Sequence, residues 1–404
     1  MIILAIETSC DETGVAILEG SKQDDALLFR VLGNALLSQA ALHAEYGGVY
    51  PTLAKREHEK NLPLMLEQAL RDAAPHFPEK KSSGSPQTIF SEKYGYALAH
   101  IDAIVVTHGP GLEPALWTGI EFAKKLASEY GKPLIPVNHM EGHMISSLAR
   151  RDTADETAQK FVLEGVELPV LALLISGGHT EFVLMREWFT YELIGKTLDD
   201  AVGEAFDKVA RMLDMPYPGG PHISKHAAAA REARKKDSEG VSSAPKLPRP
   251  MLHSGTCDFS FSGLKTAALY AIRDRGGVHM LTEDERAEFA REFEDAVTDV
   301  LVAKTRQALE QTGAKTFVIG GGVAASTRIR EQLGQLLTNE FPEVTYRIPE
   351  RTITGDNAIM IAEAALTHCL MRHIVLDGSD TNAQQVPPPE TIRATGNLSL
   401  SRPI

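Results

Sequence analysis

Two segments of this chain are built to the same plan, and that repetition constrains its fold more than any other feature. "IILAIETSCDETGVAILEG" (2–20) and "LPVLALLISGGHTEFVLMRE" (168–187) each run apolar strand, small or polar turn, apolar strand. After the first comes "IDAIVVTHGPGL" (101–112), a buried strand ending in a Gly-Pro-Gly turn. "TGIEFAKKLASEYG" follows as a helix closed by glycine, then the strand "PLIPVNH". After the second comes "KTFVIGGGVAASTRIREQLGQLL" (315–337), which reads strand, triple glycine, helix. A hairpin followed by a βαβ pattern signals a mixed α/β fold. Its double occurrence predicts two related lobes closing on a nucleotide.

The 404 residues suffice for two or three cores. The expected division is a first lobe at 1–136, a second at 137–372, and a Pro-rich tail at 373–404 that is extended or mobile. Helical periodicity marks 57–74, with further helices around 199–213 and 284–312 and a late one in "TGDNAIMIAEAALTHCL". The polar stretch at 79–96 reads as an inserted loop, and the charged, aperiodic stretch at 151–167 as a linker between lobes.

A formal net charge of −13 makes the chain a poor unaided binder of nucleic acid, because phosphate contacts need clustered Lys and Arg. The basic runs at 54–60, 149–151 and 231–236 read as solvated faces. Cys10, Cys257 and Cys369 are odd in number and far apart, which argues against disulfides and for a reducing cytoplasm. No apolar run reaches the length of a membrane span, and the N-terminus reads as a first strand rather than a leader.

None of the cysteines forms a Cys-x-x-Cys pair, so a metal site must rest on histidine and carboxylate. "NHMEGH" offers His139 and His143, four apart and on one helical face. Glu141 does not directly follow the first histidine, as the zinc-protease motif requires, and points away from that face. A third ligand is available in Asp356, which could equally cap the helix that follows it. Two histidines and one carboxylate suit zinc or iron(II), with positions left open for substrate. His179 and His108 are further candidates. The Ser176–Gly178 turn can bring backbone amides to an anion, and "IGGGVAAS" (319–326) opens a helix toward one. Neither the dinucleotide glycine motif nor a Walker lysine is present. Asp11 and Glu12 occupy the first turn. Asp200, Glu204 and Asp207 share one face of an otherwise apolar helix, so they are either a solvated acidic face or ligands for ribose hydroxyls. Cys10 reads as a packed thiol.

These residues carry a resemblance. "IETSCDETGVAIL", "HAEYGGVYPTLAKREH", "THGPGL", "NHMEGH", "LISGGHTEFVL", "DDAVGEAFDKVARMLDMPYPGGP", "DFSFSGLKTA", "EFEDAVTDVL", "GGGVAAS" and "TGDNAIMIA" occur in consistent order from residue 1 to about 370. Together they resemble the tRNA threonylcarbamoyladenosine transferases, formerly described as O-sialoglycoprotein endopeptidases. The resemblance implies a two-lobed actin-like, sugar-kinase-like ATPase fold. It implies transfer of a threonylcarbamoyl group from threonylcarbamoyl-adenylate to the exocyclic amine of adenosine 37, beside the anticodon of tRNAs reading codons that begin with A.

By the same resemblance, His139, His143 and Asp356 hold one iron(II) or zinc ion per subunit. Leu174, Ile175, Ser176, Gly177, Gly178, Asp207, Gly220 and Ser326 fall on substrate contacts. Asp11 or Glu12 accepts the amine proton or orients the acceptor. The partners implied are a related non-catalytic paralogue and a small ATPase, which help form the tRNA surface. Ser326 stands where the family often has Asn. Leu174 stands where archaeal and eukaryotic members carry a metal-side Tyr, which marks this chain as bacterial in type. "GPGLEPALWTG" differs from both branches. A metallopeptidase, a small-molecule kinase and a non-catalytic scaffold subunit are the competing readings.

Overall fold

The computed structural model describes residues 1–77, 95–153, 159–236, 245–376 and 383–401. Strands β1 (Ile2–Glu7), β2 (Glu12–Gln23) and β3 (Ala26–Ser38) form an antiparallel meander. The short helix α1 (Ala40–His43), the long α2 (Pro51–Ala73) and α3 (described over 95–99) lead to β4 (Ala103–Gly109). Helix α4 (Glu113–Tyr130) then connects to β5 (Leu134–Asn138). β4 pairs parallel with β1, and β5 with β4, so the strand order runs 3-2-1-4-5.

The second sheet repeats this order. β8 (Val170–Ile175), β9 (Thr180–Glu187) and β10 (Thr190–Lys196) form its meander. β11 (Thr316–Gly320) lies parallel to β8, and β12 (Thr345–Arg347) parallel to β11. The duplication expected from the two segments is therefore a duplication of topology. β1 and β8 read as almost unbroken apolar runs because both of their faces are covered.

The elements covering those faces fix the layering. Outside the first sheet, Leu4, Ile6, Val15 and Ile17 pack on α2 and α4. Outside the second, Leu171, Leu173 and Ile175 pack on α6 (Val202–Met212), α8 (Ser262–Asp274) and α9 (Glu283–Thr312). Between the sheets lies one shared core. Ile3, Ala5 and Leu18 from one side and Val170, Ala172 and Leu174 from the other close on α5 (His139–Leu148) and α11 (Ala358–Leu370). α11 is almost wholly buried, which its apolar sequence "AIMIAEAALTHCL" requires. Gly142 permits the close crossing of α5 and α11: a Cβ there would lie 2.9 Å from the Ile361 side chain and 3.2 Å from that of Met360.

Several expectations change. The stretch read as a linker supplies β6 (Arg150–Arg151) and β7 (Lys160–Leu163), and β7 pairs with β3, so the first sheet crosses the boundary expected at 136. Phe161 and Leu163 are buried there, a two-residue alternation too short to register in a charged context. Most of the 79–96 loop lies outside the described residues. The described part of the tail is packed and holds two short parallel strands, Ile374–Val375 and Gln384–Gln385. Ile392 and Leu400 are buried, Thr395 N–H donates to the His108 carbonyl (2.9 Å), and Gly111 N–H donates to that of Gly396 (3.1 Å). The divergent "GPGLEPALWTG" segment lies under this strap. Helices α7 (Gly219–Lys236) and α8 were not expected; α7 opens on Gly-Gly-Pro and buries mainly small side chains, which hides its period. α10 (Thr327–Glu340) follows the triple glycine as expected. No described helix is long and apolar enough to cross a membrane.

Candidate metal centre

β5 ends at Asn138, whose side chain accepts from Met140 N–H (2.8 Å) and Glu141 N–H (3.4 Å). This cap starts α5 at His139 and places His143 one turn on, facing the same way. The cap of α11 is Asn357, accepting from Met360 N–H at 3.0 Å. Its amide also donates to the Gly355 carbonyl (2.7 Å), which fixes the bend just before the helix. Asp356 is therefore not a cap. Its Oδ1 lies 3.4 Å from His139 Nε2 and 3.1 Å from His143 Nε2.

The three donors all fall within 4.8 Å of one another. Donors about 2.1 Å from a common ion, at angles from 90° to tetrahedral, stand about 3.0–3.4 Å apart. The observed separations from the carboxylate match that range. The imidazole rings sit nearly perpendicular, at 84° with centroids 4.7 Å apart.

A second carboxylate stands behind. Glu7 Oε2 lies 3.3 Å from His139 Nδ1, and the Ser9 hydroxyl lies 3.2 Å from the same nitrogen. Glu7 also accepts from Ser9 N–H and the Thr107 hydroxyl, each at 2.5 Å. With Nδ1–H directed at a carboxylate, the neutral form of the ring turns its Nε2 lone pair to the centre, as metal-bound histidines require. Burial pushes Glu7 up, but His139 outweighs it and holds the carboxyl below its ordinary range. Burial likewise raises Asp356, and the two histidines overcome it, leaving the group ionised. His139 is pulled down by burial but raised well above its usual value by Asp356 and Glu7. Burial keeps His143 low and neutral. A buried carboxylate, Glu7, and a partly exposed one, Asp356, facing two imidazoles form a pocket of negative charge that a divalent cation would satisfy. Glu7 was missed in the sequence, although an acid ending the apolar run "IILAIE" was the signal.

Glu141 belongs elsewhere. It accepts from Tyr191 O–H (2.5 Å) and pairs with His368 Nε2 (2.9 Å), so it cannot serve as the base of a metalloprotease. His179 lies near the centre and is driven down to about 4 by burial, then by His139. His108 sits beneath the tail strap.

Around the centre, the two lobes bring other expected residues together. Burial raises the carboxyls of Asp11 and Glu12, Asp11 pushes Glu12 further up, and both feel Asp356. Asp207 is raised by burial and feels Asp11; it accepts from Gly219 N–H at 2.7 Å. Tyr217, not foreseen as a site residue, is raised by burial and by Asp11 and Asp207. Gly177, Gly178 and Gly220 border open space, and the start of α6 abuts the Ser176 turn, where Gly203 N–H donates to the Ser176 carbonyl (3.2 Å).

Other expected residues are differently engaged. Leu174 and Ile175 are fully buried at the end of β8, with their side chains packed in the core. Ser326 caps α10 through Ile329 N–H (3.4 Å) and donates to Glu294 (3.4 Å). Asp200 precedes α6 and pairs with Lys208 (3.2 Å) and Lys265 (2.7 Å), while Glu204 pairs with Lys208 (2.6 Å). The acidic face is thus mostly a salt-bridged one. Burial and Asp11 push the Cys10 thiol well up, consistent with a packed rather than nucleophilic group.

Fold and site together define a two-lobed protein of the actin-like, sugar-kinase-like ATPase class, with a two-histidine, one-carboxylate centre in the layer between its sheets. The chain belongs to the tRNA N6-adenosine threonylcarbamoyltransferase family (TsaD), which matches residues 30–80 and 88–363. That family carries out threonylcarbamoyl modification of tRNA. Among solved structures, full-length HypF in its phosphate- and nucleotide-bound form shares the fold at a TM-score of 0.50 and 11% identity, over 95% of this chain and 56% of that one. YeaZ from Pseudomonas aeruginosa is similar at 18% identity and a TM-score of 0.26, over 48% of this chain and 64% of that one. A ROK family glucokinase from Streptomyces griseus in complex with glucose and AMPPNP is similar at 10% identity and a TM-score of 0.40, over 91% and 98%. The chain thus spans less than two thirds of YeaZ and of HypF.

Proposed function

We propose that this protein transfers the threonylcarbamoyl group of threonylcarbamoyl-adenylate to the exocyclic amine of adenosine 37, in tRNAs reading codons that begin with A. The observation that carries the reading is the His139–His143–Asp356 donor set, backed by Glu7, in a chain of this family. In the reaction the amine nitrogen bonds to the carbamoyl carbon, the carbon–oxygen bond to the adenylate phosphate breaks, AMP leaves, and the amine loses one proton. A divalent ion, iron(II) or zinc, held by the three donors supplies Lewis acidity toward the threonylcarbamoyl oxygens.

The chain's own residues do the rest. Ser176 N–H closes the turn on the His179 carbonyl (2.9 Å), which leaves the Gly177 and Gly178 amides to suit the adenylate phosphate. Asp207, fixed by Gly219 N–H, suits ribose hydroxyls, beside Gly220. Asp11 and Glu12, with carboxyls raised by burial, suit acceptance of the amine proton. The net charge of −13 leaves much of the tRNA surface to partners, for which a paralogous subunit and a small ATPase are the proposed pair, acting in the cytoplasm.

The test combines the chain, those partners, synthetic threonylcarbamoyl-adenylate and unmodified tRNA, followed by nucleoside mass spectrometry. The expected result is the threonylcarbamoyl-modified adenosine. No product, with partners proven active on another catalytic subunit, would overturn the reading in favour of a scaffold.

A further inference from the structure

Beneath the Asp11–Glu12 turn lies a run of fully buried polar side chains that the proposed chemistry does not use. Gln39, His43, His58 and Thr13 are each at most 1% exposed. They form one continuous path. Tyr50 N–H donates to His43 Nδ1 (3.3 Å), and His43 Nε2 lies 3.2 Å from Gln39 Oε1. Gln39 Nε2 lies 3.3 Å from His58 Nδ1, which also receives the Thr13 hydroxyl at 2.8 Å. His58 Nε2 reaches the Cys10 carbonyl at 3.1 Å.

The direction of every link is set by groups that cannot change role. A backbone N–H at Tyr50 only donates, so His43 Nδ1 accepts and its proton sits on Nε2. Gln39 must then present its carbonyl to His43. Its amide nitrogen faces His58 and the Ala54 carbonyl (3.5 Å), which accepts only. At the far end the Cys10 carbonyl accepts only, so His58 carries its proton on Nε2 and accepts on Nδ1. Burial lowers both histidines, in keeping with neutral rings. Buried networks satisfied at every member are rigid. The path ends on the turn that carries the two carboxylates, and Gln39 N–H grips the next residue too, donating to the Asp11 carbonyl at 2.8 Å.

We infer that His58, aligned by Gln39 and His43, is a positioning residue that holds the Cys10–Glu12 turn in register for catalysis; the inference rests on the transferase reading for its kinetic consequence. Its outer end is the 44–50 loop, where Tyr46 and Tyr50 stack in the open with centroids 5.5 Å apart.

The first test is independent of activity. Nitrogen-15 spectra of histidine-labelled full-length protein, with His58 assigned by loss of its signals in His58→Gln, should show a neutral ring protonated on Nε2. A ring protonated on Nδ1, or an imidazolium, would overturn the inference. Gln39→Glu replaces the donor with a group that only accepts, so it should draw a second proton onto His58 and lower transfer. An unchanged His58 spectrum in that variant would count against the path. In the transfer assay, His58→Ala should lower kcat by about 10-fold or more. KM for the adenylate should stay within about 2-fold, and His58→Gln, whose amide can still donate to Cys10, should recover much of the rate. A folded His58→Ala variant with wild-type kcat would refute the positioning role. If wild type makes no modified nucleoside, the transferase reading falls, while the tautomer and the Gln39→Glu spectrum still decide whether the brace exists.

Discussion

Replacing Glu7 with Gln changes one oxygen to an amide in a fully buried position where both carboxylate oxygens already have partners. Glu7 Oε1 accepts from Ser9 N–H; Oε2 accepts from the Thr107 hydroxyl and faces His139 Nδ1. If the new amide nitrogen takes the Oε2 position, it meets Nδ1–H donor to donor. His139 then relieves the clash by moving its proton to Nε2, the atom that would bind a metal. If the amide flips, its nitrogen faces Ser9 N–H instead, and a buried donor is left unpaired at a cost of about 1–3 kcal/mol. Outer partners of metal-bound histidines are worth about 10–100-fold in affinity. That corresponds to about 1.4–2.7 kcal/mol. Competition titration against a chelating dye, with zinc as the probe, measures it. Circular dichroism confirms that the variant is folded. A folded Glu7→Gln variant that binds zinc within about 2-fold of wild type would refute the role given to Glu7.

Three further outcomes rest on burial and packing. Glu363 is fully buried in α11, and burial raises its carboxyl to about 8 against a lesser opposing pull from the Ser146 hydroxyl. The folded state therefore holds this proton more tightly than the unfolded chain, so its contribution is complete below the ordinary carboxyl range and is lost as pH rises toward about 8. Denaturant titrations from pH 5 to 9 should show Glu363→Gln losing less stability with rising pH than wild type; parallel curves would contradict this. Gly142→Ala forces α5 and α11 apart and should cost about 1–3 kcal/mol. It should also weaken metal binding, because ligands sit on or beside both helices; a loss of stability with unchanged zinc affinity would separate the two effects. Ile392→Ala removes a side chain that the tail buries against the outer core of the first sheet, and should cost about 2–5 kcal/mol by chemical denaturation. A neutral result would mean the strap is not part of the fold's stability.

Local signals were readable where one short segment did one job. The two strand–turn–strand units predicted both sheets, because a strand buried on two faces writes itself as an unbroken apolar run. His139 and His143 were readable because four residues make one helical turn. Asp356 was ambiguous in the sequence, and Asn357 resolved it by taking the capping role one residue later. Features built from distant residues were not readable. Glu7 meets His139 only after β1 and α5 pack together. The His43–Gln39–His58 path joins α1 and the residue before it to α2. Strands of two and four residues, such as β6 and β7, are too short to carry a period. Ser326 and Glu204 looked available as lone residues, and Glu294 and Lys208 engage them only in the folded chain.

Threonylcarbamoyl transfer by this chain is expected to need a single metal ion, held in the layer between the lobes. The most direct measurement strips the chain of metal, titrates iron(II) or zinc back, and tracks modified adenosine in tRNA with both partners present. Without metal there should be no transfer, and activity should reach a plateau at one equivalent per chain, absent in His143→Ala. Full transfer by the metal-free chain, or by His143→Ala at the wild-type rate, would contradict it.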